Sequence, residues 1–77
     1  MNAAELSDLD ARVLRALRSN GGYLTPAQLA GALQITAYIV DSALGRLHAR
    51  QLVEEDGSGH QGFARTRLGD YALEWTP

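Results

Sequence analysis

Apolar positions recur at helical spacing in four stretches of the chain, and a residue able to cap a helix stands just ahead of each. In the first, Ser7 precedes Leu9, Val13, Leu14 and Leu17, with Asp10 three residues after the cap, which predicts a helix from about Asp8 to Arg18. Thr25-Pro26-Ala27-Gln28 is a stronger start: a hydroxyl cap, a proline where no N–H is needed, and a glutamine placed to close a capping box. The helix it opens at Pro26 carries Leu29, Ala30 and Leu33. Gln34-Ile35 then breaks the pattern, and Thr36 offers a second N-cap hydroxyl. From about Ala37 to Arg50, Val40, Ala43, Leu44 and Leu47 form a single buried stripe at i, i+3, i+4, i+7. Thr66 introduces the last helix, Arg67 to about Glu74, whose apolar surface is Leu68, Tyr71, Ala72 and Trp75.

Between these helices the periodicity shortens. Asn20-Gly21-Gly22 stops the first helix, and Tyr23-Leu24 has room for an edge strand of two or three residues. Leu52-Val53-Glu54-Glu55 and Phe63-Ala64-Arg65-Thr66 read as the two strands of a hairpin around the turn-forming stretch 57–62. Strand alternation puts Phe63 and Arg65 on one face, so burial of the first competes with exposure of the second.

The positions Leu29-Ala30, Leu33, Ile35-Thr36, Val40, Leu44, Leu47 and Leu52-Val53 together resemble the pattern of bacterial and archaeal winged helix-turn-helix regulators of the ArsR and MarR type. The resemblance covers roughly residues 8 to 74. Phe63, Thr66 and Gly69 likewise resemble the aromatic-x-x-Thr-x-x-Gly signature that closes many winged helices. It implies a single α+β domain over 1–77, in the order helix, strand, helix, helix, strand, strand, helix, with a small antiparallel sheet. In such regulators the second helix of the pair lies in the DNA major groove and the hairpin, or wing, touches the flanking backbone. Gln51 stands where a glycine commonly ends that helix.

Composition changes this picture in one respect. The chain has 77 residues, the size of one domain with a small core, and a formal net charge of −2. With a sequence pI near 5.5, it is the reverse of what phosphate neutralisation calls for. All seven positive residues are arginines, however, the side chain best suited to bidentate contacts with phosphate and guanine. Arg12, Arg15 and Arg18 line one side of the first helix, where they read as a solvated face. No apolar run approaches the roughly 20 residues of a membrane span, and the N-terminus lacks a secretory pattern, so a cytoplasmic protein is expected. The chain has no cysteine, and His48 and His60 make neither a metal set nor a triad, so neither an enzyme, a metal nor a cofactor is expected.

Carried over from the resemblance, the groove-facing residues are Ala37, Tyr38, Ile39, Asp41, Ser42, Gly45 and Arg46. The set is sparse in hydrogen-bonding side chains, and Asp41 would repel phosphate. The expected DNA contacts are Ala37 or Ile39 on thymine methyls, Tyr38 and Ser42 on phosphate or base edges, and Arg46 and Arg50 as a phosphate clamp. His60 and Arg65 of the wing would reach flanking phosphates. Plainer alternatives stand beside these: packing of Tyr38 and Ile39 on the neighbouring helix or against a protein partner, and pairing of Arg46 and Arg50 with Glu54 or Glu55. Tyr71 and Trp75 are expected to form a homodimer interface, unless Trp75 folds back on the first helix.

Overall fold

The computed structural model describes residues 6–58 and 62–75 of the chain. Its elements are α1 (Asp8–Asn20), α2 (Pro26–Leu33), α3 (Ala37–Ala49), β1 (Val53–Glu55), β2 (Phe63–Arg65) and α4 (Arg67–Glu74). This is the winged helix-turn-helix arrangement, with β1 and β2 paired antiparallel in the register Val53 with Arg65, Glu54 with Ala64 and Glu55 with Phe63.

Local chemistry fixes most helix starts. The Ser7 hydroxyl accepts from the Asp10 N–H at 3.1 Å. At α2, Thr25 and Gln28 close a reciprocal capping box, with bonds of 3.1 and 2.9 Å. Thr36 is different: it occupies the N-cap of α3 but its hydroxyl caps nothing, because the Ile39 N–H that it would serve bonds to the Thr36 carbonyl instead. Helix α1 runs two residues past Arg18, until Gly21 takes the left-handed conformation (φ 78°) and its N–H bonds to the Leu17 carbonyl.

The strand expected at Tyr23-Leu24 is reduced to one residue. Leu24 exchanges two 2.8 Å backbone bonds with Phe63 and pairs no further, since Gly21 is already committed to ending α1 and Thr25 to starting α2. Gly62 makes this approach possible. Its φ is +96°, and a Cβ there would overlap the Leu24 carbonyl.

The largest fully buried side chains are Val13, Leu14, Leu17, Leu29, Val40, Leu44 and Leu47, all from the first three helices. At about 1.5–3 kcal/mol each, they make the α1–α2–α3 unit the stable part of the domain. The wing and α4 are added through Leu52, Val53, Ala72 and Leu73.

Two corners tie that addition down. Helix α3 ends in a Schellman arrangement, with Leu52 N–H on the Leu47 carbonyl and Gln51 N–H on the His48 carbonyl. Gln51 holds the left-handed position (φ 63°) that a glycine would take without strain. Thr66 then binds this corner from the other side: its hydroxyl donates to the Gln51 carbonyl at 2.7 Å and accepts from Gly69 N–H, while its own N–H bonds to the Leu52 carbonyl at 3.0 Å. Gly69 lies so close that a Cβ would overlap the Leu52 carbonyl and stand 3.1 Å from Leu14 Cδ1.

Opposite stability changes are expected at the two ends of this joint. Gly69→Ala should lose about 1–3 kcal/mol through overpacking, and Gln51→Gly should gain about 1 kcal/mol by relieving the left-handed backbone. Urea unfolding followed by circular dichroism measures both.

Candidate nucleic-acid interface

Helix α3 is held from behind by Val40, Ala43, Leu44 and Leu47, all buried, which turns the remaining sides outward. Ala37, Tyr38, Ile39, Asp41, Ser42, Gly45 and Arg46 are all exposed. Tyr38 is 80% exposed, so it does not pack on α2, and Ile39 beside it is partly open as well. A Cβ at Gly45 would meet nothing, so this side of α3 offers bare backbone to an approaching surface.

Arg46 departs from the expected arrangement. It pairs with neither Glu54 nor Glu55, and it is not an unengaged cation: Nη2 donates to Asp10 Oδ1 at 2.7 Å and Nε to Asp10 Oδ2 at 3.2 Å. Asp10 is the one buried charged residue among those described, 6% exposed, whereas half of the Arg46 side chain remains open to solvent. The hydrogen bond to Asp10 raises the Arg46 pKa above its ordinary value, against a smaller opposing effect of burial, so the guanidinium stays charged. Asp10 had a readable role as a first-turn acid of α1, which masked its second one. It falls four residues before Leu14 and three before Val13, on the core stripe, and an acid in that position calls for a cation from elsewhere in the fold.

Arg50 is the C-cap residue of α3, four positions after Arg46, and is exposed. His48 meets the Phe63 ring edge-on, with centroids 6.3 Å apart, and so joins α3 to the wing. Within β2, Phe63 and Arg65 both end half-buried: the shared face covers the core at Phe63 and runs past it at Arg65, whose Nε approaches Asp70 Oδ1 at 3.4 Å without hydrogen-bond geometry. Glu54, Arg65, Thr66, Arg67 and Asp70 surround an open groove of mixed charge at the wing root. His60 lies outside the described residues. On α1, Arg12 is not simply solvated, since its Nη2 donates to the Leu33 carbonyl at the end of α2 (3.3 Å).

Helix α4 has two apolar sides. Gly69, Ala72 and Leu73 face the core, while Leu68, Tyr71 and Trp75 are each more than half exposed. Trp75 does not fold back on α1; it packs edge-on against Tyr71 at 6.0 Å. Leu73 was missing from the apolar surface expected for this helix, although it completes the inner stripe.

Among the described residues, no three metal-binding side chains converge and no helix is long and apolar enough to cross a membrane.

The sequence pattern of the MarR family matches residues 4–62. No curated protein matches the chain. Among solved structures, a MepR mutant from a multidrug-resistant S. aureus clinical isolate superposes with a TM-score of 0.76 at 22% identity, covering 91% of this chain and 53% of that one. The S. aureus MepR–DNA complex gives the same TM-score and coverage at 23% identity. The chain thus spans about half the length of the solved structures it matches.

Removing Arg46 should strand the Asp10 carboxylate. Because the guanidinium is half exposed, Arg46→Ala is expected to lose about 1–2 kcal/mol, less than a fully buried pair would, as read by urea unfolding.

Proposed function

The chain belongs to the MarR family, and we propose that it binds double-stranded DNA as a small transcriptional regulator, with α3 in the major groove and the β1–β2 wing on the flanking backbone. The observation that carries this reading is the presentation of α3: a helix buried along one stripe only, with its whole outer side open from Ala37 to Arg46. The likeness to MepR, whose structure has been determined with DNA, supports it. Ala37, Tyr38 and Ser42 are the proposed contacts in the groove. Arg50 and, on the wing, Arg65 and His60 are the proposed phosphate contacts.

The working unit in this proposal is a homodimer joined through α4. Leu68, Tyr71 and Trp75 form an exposed apolar stripe at i, i+3, i+7, the sort of surface a soluble chain covers with a partner. Two copies of α3, presented to half-sites one DNA turn apart, would gain by avidity what one cation-poor reader lacks.

Titration of the purified domain into random-sequence duplex DNA, at low and at physiological salt, tests the first part. Salt-weakened binding that enriches a palindromic site is the expected result. Absence of binding even at low salt would overturn it and turn attention to a protein partner for Tyr38 and Ile39. For the second part, sedimentation equilibrium should show a dimer that Tyr71→Ser/Trp75→Ser converts to monomer. That variant should also lose about 100-fold in affinity for the selected site.

A further inference from the structure

We propose that Asp10, a residue of α1, determines what α3 reads: by engaging the Nε–Nη2 edge of Arg46 it ties that side chain to α1 and lowers its part in reading guanine, leaving thymine methyl groups as the main feature distinguished. The inference rests on the DNA-binding reading above and concerns the same surface.

Arg46 is the only arginine within α3, and arginine is the side chain that identifies guanine, by a two-pronged contact to O6 and N7. Here the edge formed by Nε and Nη2 is spent on the two Asp10 oxygens, which ties the side chain to α1; Nη1 takes no part in the pair, and half of the side chain stays open to solvent. To present that edge to a base it would have to leave a carboxylate that is 6% exposed without a partner. The pair is also neutral overall, so it displaces no counterion from a phosphate. What α3 still offers is a methyl group, a phenol, a branched aliphatic and a hydroxyl, from Ala37, Tyr38, Ile39 and Ser42. Of these, the methyl and aliphatic groups of Ala37 and Ile39 tell bases apart through the C5-methyl of thymine, while the Tyr38 and Ser42 hydroxyls bond to phosphate or base edges without the selectivity of a two-pronged contact. Asp10 is therefore a positioning residue, acting on specificity through Arg46 without touching DNA.

The test compares the intact chain with Asp10→Asn and with Asp10→Asn/Arg46→Met, each checked for folding by circular dichroism. Sites are selected from a random duplex pool, and affinities are measured across a salt series. Selected sites are then remade with deoxyuridine in place of thymidine. The unaltered protein should select A·T-rich half-sites and lose about fourfold in affinity for each contacted methyl removed. Asp10→Asn should release the guanidinium: its affinity should fall about threefold more between 50 and 200 mM salt, the effect of one added phosphate contact, and guanine should enter its selected sites. Adding Arg46→Met should return both properties to those of the unaltered protein, a reversal that a merely structural role for Asp10 would not give. If Asp10→Asn does not fold, Arg46→Lys, which keeps the charge but cannot make the two-pronged contact, is expected to move salt dependence in the same direction. Unchanged salt dependence and site choice in these variants, or indifference to deoxyuridine, overturns this inference alone. Failure of every protein to bind any duplex overturns it together with the DNA-binding reading.

Discussion

A chain of 77 residues has little interior with which to hold a helix outward, and the burial of one stripe of α1 is where that is accomplished. Val13, Leu14 and Leu17 have no exposed surface, and α1 packs against α2, α3, β2 and α4. Helix α3 can leave a long side open because its other side rests on this stripe. The wing and α4, secured through Leu52, Val53, Ala72 and Leu73 at the margin, belong to the less costly part of the structure to rearrange.

Against that apolar support, Asp10 is the one buried charged residue among those described, and Arg46 is its partner. A carboxylate so placed needs its partner, and the partner is drawn from the outward helix. The interior and the outward helix therefore share a single guanidinium. The same economy is visible at Arg12, which spends a donor on the open end of α2, and at Arg65, which lies alongside Asp70. The arginine content of an acidic chain is thus partly consumed within the fold, and the positive field over α3 is smaller than a count of arginines suggests.

Features decided within four or five residues were legible in the sequence. The caps at Ser7, Thr25 and Thr66 were readable because each hydroxyl meets an N–H three positions on, and they placed the starts of α1, α2 and α4 where they are found. The buried stripe of α3 was readable for the same reason, as repetition along a single helix. Features decided at a distance were not. Asp10 and Arg46 are 36 positions apart, and nothing in the spacing of either announces the other. Thr36 looks like a cap, but the backbone carbonyl competes with its hydroxyl for the same N–H. The edge strand at Tyr23-Leu24 shrank to a bridge because the helix ends on either side claim its neighbours. On α4, the sequence displays more apolar residues than one face can hold, and only packing decides that Leu73 turns inward and Trp75 outward.

The joint between the end of α3 and the start of α4 is made from the Thr66 hydroxyl and N–H together with the carbonyls of Gln51 and Leu52. Three of those four groups belong to the main chain, and none comes from the outward side of α3. The angle at which α3 is held is thereby independent of the vocabulary written on it. The outward residues Ala37, Tyr38, Ile39, Asp41, Ser42 and Gly45 can be exchanged for others without altering where the helix points, so a lineage built on this scaffold is free to vary that surface while keeping its support.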